Sequence, residues 1–345
     1  MRDSFNREID YLRISVTDRC NMRCVYCMPG EGVEWKTHAE ILTFEEMIAL
    51  CRIFAELGIK KIKVSGGEPL VRRGLPGFVE ALKTTPGVEQ VTLTTNGLLL
   101  NDHLDALLDA GLDAVNISLD TLNPVTFGKI TRYPYSVEYG GLEGKTAVVR
   151  NKALEQILTA LDKALARALR VKINCVPIEG LNDADIVPLA ALARDRPLAV
   201  RFIELMPLGR AASFTGIPAA ALVSILTGGI QDAGGVLMPD TERIGNGPAV
   251  YYRVKGWQGR IGLIAALSHS FCATCNRLRL SASGMLSPCL SSSAGTDLRV
   301  LLRGGKPLAQ TIAAVIGSKP ASHNFLECRR EKAGHSDKAM WNIGG

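Results

Sequence analysis

The sequence predicts an α/β fold: an incomplete, open, six-unit β/α TIM-like barrel with a smaller C-terminal domain covering its open side. Three observations carry this. Strand-like segments alternate with helical ones, each strand keeps one polar face, and the texture changes after residue 226. Strand–helix alternation implies parallel strands joined by right-handed crossovers. Six units are too few for the usual eight-stranded closed barrel. Strands buried on both faces read as continuous apolar runs, but these alternate. Packing the apolar set on the helices therefore turns the polar set into the interior, which a closed barrel would fill with Val, Ile and Leu. The rival is an antiparallel sheet with one wet face, and the long helical crossovers argue against it.

The elements follow in order. Strand 11–17 sets Leu12, Ile14 and Val16 against Arg13, Ser15 and Thr17. The stretch "TFEEMIALCRIFAELG" is a helix opened by Thr43 and Glu46 at capping-box spacing and closed at Gly58. Strand 61–65 alternates Ile62 and Val64 with Lys61, Lys63 and Ser65, and strand 91–95 alternates Val91 and Leu93 with Thr92 and Thr94. A helix over "NDHLDALLDAG" runs from an Asn/Asp cap to Gly111. Strand 115–120 sets Asn116, Ser118 and Asp120 on the polar face. Residues 132–151, "RYPYSVEYGGLEGKTAVVRN", read as a mobile surface loop inserted between units. Its "GGLEGKT" is not a phosphate-binding loop, because residue 139, where the first glycine belongs, is tyrosine. Then come the helix "ALEQILTALDKALARAL", strand 171–176 with Lys172 and Asn174 on the polar face, the helix "DADIVPLAALAR" with Pro188 in its first turn or bending it, and strand 200–204. From Thr227, "TGGIQDAGGVLMPDTERIGNGPA" is rich in glycine and turn residues and marks a boundary between 1–226 and 227–345. Beyond it, 249–267 and 278–290 read as hairpins.

The chain has 345 residues, 47% hydrophobic and 21% charged, an ordinary balance for a globular protein. The N-terminus "MRDSFNREIDYLRIS" lacks a signal-peptide core, and no apolar run nears the ~20 residues of a membrane span. A cytoplasmic protein without membrane attachment is expected. In a reducing compartment the nine cysteines read as metal ligands or buried thiols rather than disulfides. A net charge of +6 is too mild for a nucleic-acid binder and suits an anionic small molecule.

Six of the nine cysteines form two tight groups. Cys20, Cys24 and Cys27, spaced C-x3-C-x2-C with Tyr26 before the last, follow the first strand, where a barrel's active-site loops emerge. Three thiolates are one short of a closed structural site. On a [4Fe–4S] cluster they leave one iron open; the alternative is zinc with a remote fourth ligand. "SGGEP", 65–69, follows the second strand, and its glycines can bring backbone close to a ligand. Cys272, Cys275 and Cys289 form the second group, and His269 three residues ahead could close a Cys3His zinc site, so zinc and iron–sulfur both remain open on spacing alone. Cys51, Cys175 and Cys328 read as buried or incidental thiols. His38, His103, His323 and His335 have no ligand-like neighbours in sequence.

The first trio with Tyr26, followed by "GGEP", resembles the radical S-adenosylmethionine superfamily, whose fold is an open α/β barrel. The second trio, "RLR" at 277–279 and the terminal "NIGG" resemble, within it, the GTP 3′,8-cyclase family (molybdenum cofactor biosynthesis protein A), and the resemblance spans residues 11–345. It implies two [4Fe–4S] clusters on the two trios, the first with S-adenosylmethionine on its open iron and the second with the guanine of GTP. It implies cofactor contacts at Tyr26, Gly67, Ser118 and Met206, and substrate contacts at Arg13, Lys63, Thr94, Lys172, Arg277, Leu278 and Arg279. It gives Gly344 and Gly345 a catalytic place as a tail threaded into the site. Arg13, Lys63, Thr94, Ser118 and Lys172 all lie on the polar strand face identified independently. The implied reaction is the first step of molybdenum cofactor (molybdopterin) biosynthesis: a 5′-deoxyadenosyl radical takes hydrogen from C3′ of GTP, and C3′ then joins C8 to give 3′,8-cyclo-7,8-dihydro-GTP. The implied partners are an external one-electron donor and a downstream cyclic pyranopterin monophosphate synthase, with a homodimer allowed. The chain departs from the family at Lys63, where arginine is usual and bidentate geometry is lost, and in the 132–151 insertion. Two rivals remain: a peptide-maturing radical enzyme, and a metal-containing nucleic-acid-binding regulator using "RLR" as a phosphate clamp. Missing aromatic stacking motifs and the modest charge count against the latter.

Overall fold

Six parallel strands follow one another around an open barrel: Tyr11–Ser15, Lys61–Ser65, Gln90–Thr95, Ala114–Ser118, Arg170–Cys175 and Ala199–Ile203. They are seen in a computed structural model that describes residues 1–140, 146–242, 244–292 and 295–325. The six expected strands are present with ends shifted by a residue or two. The C-terminal part does more than cover the opening. Arg260–Ile264 adds a parallel strand beside the sixth, and Arg277–Leu280 adds one beside the first. Eight strands are then parallel, yet the two outer ones are not bonded to each other, so the barrel stays open. Each edge is continued by antiparallel strands: Val250–Val254 and Leu237–Asp240 on one side, Met285–Ser287 and Thr296–Asp297 on the other. Both expected C-terminal hairpins are among these pairs. Residues 265–276 connect the two open edges and carry Cys272 and Cys275.

The alternation read from the sequence is the alternation observed. Leu12, Ile14, Ile62, Val64, Val91, Leu93, Val115, Ile117, Ile173, Val200 and Phe202 are fully buried in one core against the helices. Cys51 and Cys175 are buried there too. The helix Phe44–Glu56 opens with the expected reciprocal cap: Glu46 N–H donates to Thr43 Oγ1 at 3.2 Å, and Thr43 N–H to Glu46 Oε2 at 2.8 Å. Leu100–Asp109 and Lys152–Ala166 form over the expected stretches, the latter capped by Asn151, but the expected Asn/Asp cap of the former does not: Leu99 takes that position and Asn101 and Asp102 lie in the first turn. Pro188 lies in the first turn of Ile186–Ala191, where it costs no backbone bond. The crossovers Leu75–Lys83 and Pro124–Thr131 carry weaker signals, each with proline in its first turn.

Two expectations need correction. Residues 132–151 are not simply a loop: Ser136–Gly140 pairs antiparallel with Thr146–Arg150 as a separate two-stranded sheet. Val137 and Val149, opposite each other in the register, favour that pairing. The glycine- and turn-rich stretch from Thr227 also begins inside a helix rather than in turns. Ala219–Asp232 is one helix running through Thr227, with Leu222, Leu226 and Ile230 buried along one stripe. A Cβ on Gly229 would lie 2.5 Å from Val187 Cγ2, so glycine here lets two helices approach. Among the described residues no helix is long and apolar enough to cross a membrane.

Phe54 is fully buried at the centre of the helix layer. Phe54→Ala should cost about 3–5 kcal/mol of stability, read from the midpoint of denaturant unfolding.

Candidate active site

A cavity of about 320 Å³ lies at the C-terminal ends of the barrel strands, with both cysteine trios in its wall. The loop bearing Cys20, Cys24 and Cys27 is held from two sides. Arg23 and Val25 N–H groups bond the carbonyls of Thr131 and Ile130, at 3.0 and 2.8 Å. On the other side the Ser65–Pro69 turn packs directly on it: Gly67 N–H donates to Thr17 O at 2.7 Å and Glu68 N–H to Arg19 O at 2.8 Å. A Cβ on Gly67 would stand 2.4 Å from Arg19 O, and one on Gly66 2.8 Å from Thr17 O. These glycines therefore serve first to seat one loop against the other's backbone.

Glu68 continues the same brace. It is buried and accepts from Leu70 N–H, Thr95 Oγ1 and Asn96 N–H at 3.0, 2.7 and 2.7 Å. Burial pushes its carboxyl up to about 7, although these bonds favour the charged form. Asn96 in turn donates to Asn21 Oδ1 at 2.7 Å, inside the cysteine loop. Tyr26 donates to Asp120 Oδ2 at 2.6 Å, while Asp120 Oδ1 accepts from Val176 N–H at 2.8 Å. Burial raises the Asp120 carboxyl to about 6.

The two trios sit in opposite electrostatic surroundings. Burial, with Glu68 nearby, pushes the Cys20 thiol up to about 11. Cys24 is raised further by burial and then by Cys27 and Asp120. At Cys275 burial also raises the thiol, but Arg277 and Lys319 outweigh it and bring it down to about 7. His269 is exposed and lies outside the cavity wall that holds the three cysteines. Among the described residues no three His, Cys, Asp or Glu side chains converge as around a single metal ion. A [4Fe–4S] cube spreads its cysteines over separate irons. Two open trios facing one cavity fit such clusters in donor chemistry, and the alternative of a closed zinc site is not supported.

A second chamber of about 360 Å³ lies toward the N-terminal ends of the strands and shares Arg13, Asn174 and Arg277 with the first. Lys63, Lys172 and Arg201 line it. Lys63 is pushed well below its usual range by burial and by Arg201, Arg13 and Lys172. Lys172 falls to about 8, mainly through burial, and Arg13 to about 10 for the same reason. Their oxygens are neutral ones: Lys172 Nζ donates to Ile244 O at 2.9 Å and Arg201 Nη2 to Asn174 Oδ1 at 2.6 Å. With its amide oxygen turned toward them, Asn116 accepts from Arg201 at 3.2 Å and from Lys63. The chemistry of this lining suits a multiply charged anion.

Of the residues singled out in sequence, both trios, Arg13, Tyr26, Gly67, Thr94, Ser118, Met206, Arg277 and Arg279 meet in the first cavity. Lys63 and Lys172 meet in the second. Leu278 does not join them: the strand alternation turns it into the core behind Arg277 and Arg279. Gly344, Gly345, Cys328 and His335 lie outside the described residues. Sequence reading missed Arg201, although the alternation Val200, Arg201, Phe202 marks it for the polar face. It missed His323, set aside as having no ligand-like neighbours. The structure puts His323 in the first cavity's wall, its Nε2 bonded to Ala266 O at 2.8 Å and its buried Nδ1 without a partner. Lys319, also in that wall, has no local pattern to betray it.

Comparison with known proteins accords with this geometry. A model of the Radical SAM superfamily matches residues 14–193, and one described as Molybdenum Cofactor Synthesis C matches residues 198–325. A curated GTP 3′,8-cyclase of Pelotomaculum thermopropionicum is 44% identical, with 100% of each chain covered. That of Petrotoga mobilis is 42% identical over 95% of this chain and 96% of its own. Among solved structures, Streptococcus suis SuiB bound to S-adenosylmethionine superposes with a TM-score of 0.60 at 13% identity, over 94% of this chain and 75% of that one, which is a likeness of fold.

Gly67→Ala should displace the carbonyls of Asp18 and Arg19 and open the first trio. The expected outcome is a folded protein, by circular dichroism, that loses roughly half of its anaerobically bound iron; full iron retention in Gly67→Ala sinks this account.

Proposed function

We infer the function from a membership the comparisons establish: the chain belongs to the radical SAM superfamily and, within it, to the GTP 3′,8-cyclases. Its activity is cyclisation of GTP in molybdenum cofactor biosynthesis, with S-adenosylmethionine and iron–sulfur chemistry as the superfamily requires. The observation that carries the reading is a pair of adjoining chambers sharing Arg13, Asn174 and Arg277, the upper walled by both cysteine trios and the lower by Lys63, Lys172 and Arg201. In this reading Cys20, Cys24 and Cys27 hold one [4Fe–4S] cluster and Cys272, Cys275 and Cys289 a second. When bound, the first cluster and S-adenosylmethionine supply the 5′-deoxyadenosyl radical that takes hydrogen from C3′ of GTP.

The chain's own residues then have positional work. Tyr26, Gly67, Ser118 and Met206 line the S-adenosylmethionine side of the cavity. Arg13, Lys63, Lys172 and Arg201 hold the triphosphate, and Arg277 and Arg279 hold the substrate against the second trio, with Thr94 on the wall between. Holding ribose and adenosyl group together is worth large factors, since a misplacement of about 1 Å costs roughly 10²-fold. The roofing loops keep water from the radical. Residues 1–226 thus serve cofactor cleavage, and 227–345 the second cluster and the Gly344–Gly345 tail, which contributes to catalysis. The product passes to a cyclic pyranopterin monophosphate synthase, and electrons come from an external one-electron donor, all in the cytoplasm.

Anaerobic turnover with S-adenosylmethionine, reductant and a panel of nucleotides tests the reading. GTP alone should yield the 3′,8-cyclised product, and Cys24→Ser should form no 5′-deoxyadenosine. Equal turnover of all nucleotides, or cleavage by Cys24→Ser, overturns it. Lys172→Ala removes one charge-assisted contact worth about 1.5–3 kcal/mol. It should therefore raise the KM for GTP about tenfold or more with iron content unchanged, and an unaltered KM would move Lys172 out of the substrate site.

A further inference from the structure

We propose that Lys319 and Arg7 are positioning residues for the second cysteine trio, joining its separate segments and supplying the positive charge that its thiolates need. The proposal rests on the reading of Cys272, Cys275 and Cys289 as a second cluster site. The three cysteines come from two stretches of chain separated by a hairpin, so something must hold the stretches in register. Lys319 does so directly. Its side chain is buried, and its ammonium donates to Arg277 O at 2.8 Å and Pro288 O at 2.6 Å. One carbonyl lies two residues past Cys275 and the other immediately before Cys289.

Arg7 ties the remaining strands of the knot. It donates to Cys272 O at 2.8 Å and to Pro320 O at 2.8 Å, with longer bonds of 3.3 Å to Lys319 O and Ala321 O. Its Nε is paired with Asp3 Oδ2 at 2.5 Å, and both side chains are buried. The first ten residues of the chain, which carry no chemistry-bearing motif, are thereby part of the site. Asn276 extends the same tie by donating to Asp10 Oδ1 at 2.6 Å.

The two cations differ in how their charge is met. Asp3 neutralises Arg7. Lys319 has no carboxylate partner among the described residues, and its ammonium is held against the two segments that carry Cys275 and Cys289. A buried ammonium left unbalanced costs several kcal/mol. Thiolates on a cluster meet that charge, so trio and lysine stabilise each other.

The test uses the whole protein, reconstituted with iron and sulfide under anaerobic conditions. Iron and zinc are counted, and the electron paramagnetic resonance of the reduced second site is read in a Cys24→Ser background that silences the first. Wild type should hold about eight irons per chain. Lys319→Met should fall to about four and lose the second-site signal, Lys319→Arg should recover much of both, and Arg7→Met should alter the signal or lose it. Circular dichroism reports folding. If Lys319→Met fails to fold, Lys319→Gln, which keeps a donor without the charge, should show the same loss. A folded Lys319→Met or Lys319→Gln with about eight irons and an unchanged signal overturns the proposal. Wild type with about four irons and one zinc instead overturns the second-cluster reading itself, so the two failures are distinguishable.

Discussion

Positive charge turned inward is the constraint on which the rest of this structure depends. The strand alternation that buries Leu12, Ile62 and Val200 against the helices sends Arg13, Lys63 and Arg201 to the other face, which is the barrel interior. Among the described residues Lys63, Lys172 and Arg201 meet only neutral oxygens there. Buried cations without counter-charge are expensive. The fold tolerates them because the barrel never closes and the chamber stays large enough for an anion. Gly262, level with Arg201 on the neighbouring strand, shows the accommodation: a Cβ there would lie 2.9 Å from Arg201 Cγ.

An open sheet of this kind has two liabilities, its edges and its mouth, and the C-terminal part answers both. Arg260–Ile264 and Arg277–Leu280 continue the sheet in parallel on opposite sides, then pass to antiparallel strands that end it. The segment connecting them crosses the seam and delivers Cys272 and Cys275 to the cavity. At the mouth, the cysteine loop and the Ser65–Pro69 turn lock together through backbone bonds that only glycine at 66 and 67 permits. Covering the barrel and building the second half of its site are one structural event.

How much of this was legible in sequence follows from the range of each signal. Strand parity is local, so the polar face and most of its residues could be read directly, and Arg201 was within reach of the same rule. The trios were legible as spacing. What local pattern could not show is what distant segments do to one another. Gly66 and Gly67 looked like a ligand approach, whereas the structure shows them accommodating the backbone of another loop. Thr227–Gly229 read as turn residues, because the need for glycine arises from Val187 on a different helix. Lys319 bonds carbonyls 42 and 31 residues away and His323 one 57 residues away, and no periodicity announces them.

The two trios share one cavity but differ in their electrostatic surroundings. Burial raises the thiols of both, but the first has the carboxylates of Glu68 and Asp120 beside it, and the second has Arg277 and Lys319. Groups just beyond the ligands tune a metal site through charge and hydrogen bonding. If the first trio holds a cluster, as proposed, negative neighbours would disfavour adding an electron and make its reduced form a stronger donor. Positive neighbours at the second favour anionic thiolates. Arg277 belongs to both the second trio's surroundings and the cation-lined chamber below. A ligand that is anionic at one end and carries a heterocycle at the other is therefore drawn along one line of positive charge, with its middle left facing the first trio.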